Sequence, residues 1–377
     1  MSDNLKNKIV TITFVVIIFG LFLINIITAP VDVSMSERRK LSQFPTITLE
    51  TVANTKAMQG FADYAVDQFV WRDQFRAIKA SFLFNVLKQK DNNGIYIVNG
   101  HASKTLTDLK EGELTQTVKN ISKLYKNTLS NMNVYYSIIP DKNYFLAEQN
   151  GYPHIDYDEF MNIVKTNMNS NIKYIDIFKE LNIEDYYTTD IHWKQENLEN
   201  VTNKLIMAMN SSSTNQINFE TSYKMNELTP FYGTYYGQSA LPLASEKLNY
   251  LTNEELENVT VKILNETTFE FEEKSMYDIK EFTGIDPYNV YLNGPKAIIT
   301  LENPNSNTSK ELIVFRDSFG SSLAPLLTEE YSKITLIDLR YIASPILKNV
   351  VEFRSGQDVL ILYSTEVLNN GSILKIM

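Results

Sequence analysis

Three apolar runs near the end of the chain, Leu312–Phe315, Ile334–Ile337 and Val359–Tyr363, are separated by intervals that can each hold one helix. Strand, helix and strand in that rhythm predict a parallel α/β sheet. Ala297–Leu301 supplies a further strand just upstream, and Asn133–Ile139, β-branched and aromatic, another far earlier that must stop at Pro140. At 377 residues the chain is long enough to bury such a sheet in a sizeable core.

A second feature places the chain. Ile9–Ala29 is an uncharged run of 21 residues. As a helix it is about 31 Å long, enough for a hydrocarbon core of roughly 30 Å. Asn25, near its far end, is its only strongly polar side chain. A secretory apolar core is shorter, and Pro30 directly after Ala29 makes a poor cleavage site, so an uncleaved anchor is favoured over a signal peptide. Lys6 and Lys8 favour a cytoplasmic N-terminus, although Arg38, Arg39 and Lys40 follow on the other side; the body is expected outside. The net charge of −10 argues against nucleic acid as a partner. The absence of cysteine excludes disulfides, thiolate nucleophiles and cysteine-based zinc sites.

Between anchor and sheet, residues 31–60 read as a spacer. Phe61, Tyr64, Ala65, Gln68 and Phe69 share a helical face, in a helix expected to run on through Trp71 toward Leu87. Gly94–Gly100 reads as a strand ending in a turn, Leu114, Val118, Ile121, Tyr125 and Leu129 recur at helical spacing, and Tyr174–Phe178 reads as a short strand. Residues 220–295 read as a β-rich excursion from the main sheet.

The chemistry concentrates in two segments, Thr189-Asp190-Ile191-His192-Trp193 and Phe315-Arg316-Asp317-Ser318-Phe319-Gly320. Ser318 follows a strand by three residues, with a helix expected to start near Phe319. That is the carboxyl edge where open α/β sheets bind ligands, next to amides that can stabilise an oxyanion. A serine hydroxyl needs a base, and His192 can be that base; Asp190 can hold its tautomer. On an extended backbone, residues two apart point the same way and reach one site. Capping by Asp317 and Ser318, a structural Asp–His hydrogen bond, and half of a metal site are the competing readings. Metal is the weakest, because neither His101 nor His154 has a pattern linking it to the pair. No metal and no cofactor is expected. Lys142, Arg316, Trp193 and Gly233 are further candidates, as oxyanion donors or substrate-lining residues. Trp193 has two readings, a packing residue or a sugar platform.

Jointly these segments resemble the DHHW family of Gram-positive bacteria, related to the SGNH-hydrolase-like domains of alginate O-acetyltransferases. Glu37-Arg38-Arg39-Lys40-Leu41, Asp67–Asp73, Pro140-Asp141-Lys142-Asn143-Tyr144, Tyr232-Gly233-Thr234, Asp338-Leu339-Arg340-Tyr341 and Asp358–Tyr363 complete the likeness. The family name spells Asp-His-His-Trp, and Ile191 stands here at the second place. The resemblance implies an α/β, flavodoxin-like core with a Ser318–His192–Asp190 triad. It implies an extracytoplasmic O-acyltransferase acting on a polysaccharide, with a membrane-bound O-acyltransferase as partner. A carbohydrate esterase with the same residues, or a non-catalytic envelope protein, stays open. The expected organisation is a tail and anchor over 1–30, a membrane-proximal helical segment packing on the core over 31–100, and an SGNH-like catalytic domain over 101–377.

Overall fold

The computed structural model describes residues 2–210 and 216–377. They form two compact units, residues up to 93 with 237–242, and 94–236 with 243–377.

The first unit begins with helix α1 (Asp3–Ile27), none of whose residues is buried. It is the one helix among the described residues long and apolar enough to cross a membrane. The stretch read as a spacer is folded. Val33–Ser34 pairs with Arg39–Lys40, and a short helix covers Leu49–Ala53. Helices α2 (Lys56–Asp67) and α3 (Arg72–Asn85) follow. They are two helices rather than the single one expected. Asp67, at the end of α2, takes both guanidinium nitrogens of Arg39 (2.5 and 2.8 Å) and the Ser42 amide (2.9 Å). Gln68 bonds both the N–H (2.8 Å) and the carbonyl (2.9 Å) of Val31, and Trp71 adopts φ 57°. Fixing Asp67 and Gln68 to the preceding segment turns the chain out of the helix. The Arg39 hydrogen bonds hold the Asp67 carboxyl well below the usual carboxylate range, against its partial burial. Glu37 gathers Arg72, Arg76 (3.2 Å) and Arg39 (3.1 Å). On the opposite side of α3, Phe75, Ile78 and Phe82 are exposed, in line with Trp71 and Val86.

The second unit is built on an eight-stranded sheet. Its strands are β1 (Asn133–Ile139), β2 (Lys173–Tyr174), β3 (Thr260–Leu264), β4 (Phe271–Lys274), β5 (Ile298–Glu302), β6 (Glu311–Arg316), β7 (Lys333–Ile337) and β8 (Asp358–Ser364), in the order β4-β3-β5-β7-β6-β8-β1-β2. From β7 to β2 every pairing is parallel; β5, β3 and β4 extend the sheet antiparallel. The sheet is thus parallel-rich but mixed, and β3 and β4, expected in an excursion, belong to its edge. The rest of that stretch forms a separate hairpin, Lys224–Phe231 with Glu246–Thr252. The strand expected at Tyr174–Phe178 is shorter and earlier, because Phe178 opens a 3₁₀ turn whose amide bonds Asp176 (3.0 Å).

Both faces are covered. Leu312 and Val314 point into one core with Val201, Leu205 and Met209 of α6 (Glu199–Met209). Ile313 and Phe315 point into the other, with Leu114, Val118 and Ile121 of α4 (Glu111–Leu124) and Phe160, Ile163 and Val164 of α5 (Tyr157–Asn167). Strands covered on both sides read as continuous apolar runs, which is how β6, β7 and β8 appear in the sequence. The crossovers are slight. Gly320–Leu323 is one helical turn that passes into 3₁₀ at Ala324, with Pro325 inside it, and Ser344–Asn349 is also 3₁₀.

Candidate active site

Ser318 lies two residues beyond β6, at the carboxyl edge of the parallel strands. Asp317 fixes the turn that carries it: one carboxylate oxygen takes the Phe319 amide (3.1 Å), the other the Ser364 amide at the end of β8 (2.8 Å). The Gly320 amide bonds the Asp317 carbonyl and the Ser321 amide the Ser318 carbonyl. The Ser318 N–H has no hydrogen bond among the described residues. The following helix is too short to supply a substantial dipole, so anion stabilisation here falls to individual N–H groups, as expected from the sequence.

The acid–histidine pair sits on a narrow loop. Its base is closed by Tyr187 N–H to the His192 carbonyl (3.1 Å) and Lys194 N–H to the Asp185 carbonyl (2.7 Å). The backbone bends at Asp190–His192 rather than extending, as the His192 amide donates to Asp190 Oδ1 (3.1 Å). That bend, and not strand alternation, brings both side chains together. His192 Nδ1 lies 2.5 Å from Asp190 Oδ1, and His192 Nε2 lies 2.7 Å from Ser318 Oγ. Asp190 and His192 are buried, and Ser318 is half-buried. Asp190 Oδ2 also accepts the Thr234 amide (2.7 Å). Glu246 takes the Thr188 and Thr189 amides (2.7 Å each) and the Thr189 hydroxyl (2.5 Å).

Of the other four candidates, Gly233, Trp193 and Arg316 support the site from behind, and Lys142 also borders a small cavity that shares Lys104, Thr105 and Glu366 with the larger cavity beside Ser318. The Gly233 amide is already bonded to Thr189 Oγ1 (2.8 Å), and a Cβ there would stand 2.4 Å from the Asp190 backbone. Gly233→Ala is therefore expected to cost about 1–3 kcal/mol by overpacking. It should also lower turnover, because Asp190 must move; urea titration beside an activity assay checks both. Trp193 is fully buried and donates to the Phe319 carbonyl (3.1 Å) and Ser322 Oγ (2.9 Å), which makes it an anchor and not a sugar platform. Arg316 is fully buried under the serine turn, bonds the Asp317 carbonyl (3.2 Å) and requires Gly320, whose Cβ would meet its side chain at 2.8 Å.

Lys142 is buried beneath the loop, where Nζ donates to the carbonyls of Tyr187 (2.7 Å), Thr188 and Asp190 (3.1 Å each). Burial pushes its ammonium down to about 7, against the attraction of Glu246 and Asp190. An unfolded lysine titrates near 10.4, so the unfolded chain binds more protons between these values, and stability rises with pH there. This group contributes up to about 1.4 kcal/mol per pH unit between pH 7 and 9.5. Lys142→Met should flatten that slope in urea titrations and destabilise by about 2–4 kcal/mol at pH 7, through the Tyr187 and Asp190 carbonyls left without a donor; the Thr188 carbonyl keeps the Ala102 amide (2.8 Å).

Two residues without a site signature complete the arrangement. Tyr288 stacks on His192, with ring centroids 3.7 Å apart and planes 5° from parallel, and its hydroxyl donates to Ser322 Oγ (2.8 Å). Burial keeps that phenol protonated by pushing it well above its ordinary range. Arg340 is held in a fork by Asp338 (2.9 and 2.7 Å). Ser318 and Arg340 together border two cavities. One, of about 560 Å³, is walled by Lys104, Thr105, Thr107, Ile191, Asn369 and Asn370. The other, of about 160 Å³, is walled by His192, Tyr288, Tyr291 and Pro295.

A serine turn at the carboxyl edge of a parallel-rich α/β sheet thus faces an acid–histidine loop. The chain belongs to the DHHW family, whose pattern matches residues 112–337, more than half of its length. A DHHW family protein from Eubacterium siraeum shares the fold at 18% identity, with TM-score 0.58 over 75% of this chain and 94% of that one. Bacillus cereus PatB1 is similar at 19% identity, with TM-score 0.59 over 73% and 96%. PatB1 has also been solved with a sulfonyl adduct. No curated protein matches the sequence.

Proposed function

We propose that the protein is an extracytoplasmic O-acyltransferase, in the first instance an O-acetyltransferase, that esterifies hydroxyls of a cell-surface or exported polysaccharide. α1 holds it at the membrane, body outside, where a membrane-bound O-acyltransferase supplies the acyl group. The observation that carries this reading is the unbroken line Asp190–His192–Ser318, which ends on a polar cleft.

In the first half-reaction Ser318 Oγ attacks the donor's carbonyl carbon while its proton passes to His192 Nε2. Asp190, bonded to Nδ1, stabilises the imidazolium. The Ser318 N–H meets the developing oxyanion, and Arg340 adds positive charge beside it. Collapse breaks the donor's ester bond, and the leaving oxygen takes the proton from Nε2. In the second half a glycan hydroxyl gives its proton to Nε2 and attacks the acyl-enzyme; Ser318 leaves and recovers that proton. The small aromatic-walled cavity suits a short acyl group. The larger one, with its amides and hydroxyls, suits a hydroxylated acceptor.

The test is to incubate the protein with a chromogenic acetyl ester and an acceptor oligosaccharide and weigh the products by mass spectrometry. Acetylated oligosaccharide is expected. Free acetate alone, released at one rate with or without acceptor, would make the protein an esterase, and no ester turnover would point to a binding role. Sulfonyl reagents capture nucleophilic hydroxyls, so a sulfonyl fluoride should label Ser318, as read by peptide mapping.

A further inference from the structure

Five exposed apolar residues of the first unit line up along α3 and its two flanking positions. Trp71, Phe75, Ile78, Phe82 and Val86 are all exposed, from 44% at Phe75 to 66% at Ile78. At 100° per residue they fall within an arc of about 80° along α3. The opposite face carries Arg72 and Arg76, turned to Glu37, and buried Ala80. Phe69 joins the stripe through an edge contact with Phe75, with centroids 5.8 Å apart. A stripe this long facing water needs a partner.

The depth of the stripe follows from one hydrogen bond. Asn25, the polar residue of the apolar run, accepts the Val70 amide at 2.8 Å. It lies two residues before the end of α1 at Ile27, about 3 Å along the axis. Val70 and its neighbours Phe69 and Trp71 therefore stand level with the last turn of α1. Gln68 fastens the same point to Val31, just past the helix. Where α1 spans a bilayer, this level is the boundary between acyl chains and headgroups, where tryptophan is favoured. Lys79, exposed at the flank of the stripe, can extend to headgroup phosphates.

We propose that α3 is an interfacial helix, lying in the outer surface of the membrane with Trp71, Phe75, Ile78 and Phe82 among the lipids. This rests on the reading of α1 as a membrane anchor. The first unit would then sit at a fixed level on the bilayer.

The chain has no cysteine, so a single introduced one carries a unique label. Val16→Cys reports on the middle of α1 and Ile78→Cys on the stripe. Each full-length variant is labelled with an environment-sensitive fluorophore and reconstituted into phosphatidylcholine–phosphatidylglycerol vesicles with brominated lipids. Both labels should be blue-shifted, Val16→Cys quenched by deep bromines and Ile78→Cys by shallow ones. A Val16→Cys label in lipid with Ile78→Cys still in water overturns the interfacial helix, leaves the anchor standing and turns attention to a protein partner. Both in water overturns the anchor itself. A second readout is native: shallow bromines should quench Trp71 but not buried Trp193, and Trp71→Phe should abolish that quenching. Persistence of the quenching in Trp71→Phe would also overturn the proposal.

Discussion

Ser318→Ala is expected to reduce acyl transfer from an activated ester by roughly 10³-fold or more, the usual cost of removing a nucleophile that acts as a unit with its base. The substitution deletes one oxygen from a half-buried side chain whose hydroxyl has His192 as its partner. Stability should therefore change by less than about 1 kcal/mol, and the thermal midpoint should barely move. The pair of measurements matters more than either one. Lost activity in a chain that unfolds normally identifies chemistry, whereas an unchanged rate removes Ser318 from the nucleophile's role.

Asp190→Asn should be comparably severe, about 10⁴-fold in turnover. The carboxylate accepts from His192 Nδ1, the His192 amide and the Thr234 amide. An asparagine has one acceptor oxygen. If it keeps the two His192 bonds, its NH₂ faces the Thr234 N–H. If it flips, the NH₂ faces the imidazole and favours the tautomer with the proton on Nε2, which cannot accept from serine. Either way the imidazolium loses its counter-charge. The check is turnover against pH, together with urea titration, where the unpaired donor should cost about 1–3 kcal/mol. Turnover above a tenth of the parent's would show that Asp190 does not orient the histidine.

Much of this site could be read in the sequence, because its parts are local. The β6, β7 and β8 runs carry their identity in composition, and the serine turn and acid–histidine loop each fit within six residues. Sequence separation hid the support. Tyr288 reaches His192 from a turn begun by Asp286 and Pro287, and nothing in that turn names its stacking partner. Glu246 looks like a surface acid until the Thr188 and Thr189 amides are found pointing at it. The direction of β5 was equally hidden. Seven residues, 304–310, follow Glu302 and Asn303 before β6 begins, too few for a covering helix, yet β7 lies between the two strands. Lys142 and Arg316 stand out in the sequence as charges beside the site segments, the mark of site residues. Their burial, which no local pattern announces, makes them props for the backbone.

The residues that must meet are 126 positions apart, yet the path of contacts between them is short. His192 is followed by Trp193, Trp193 bonds the Phe319 carbonyl, and Phe319 is followed from the other side by Ser318 as its neighbour in the chain. This small ring sets the spacing of base and nucleophile through a single indole, and Thr234, Glu246 and Tyr288 from the chain in between brace the loop that carries the base. The catalytic distance is thus a local dimension of the fold, as fixed as the length of one side chain.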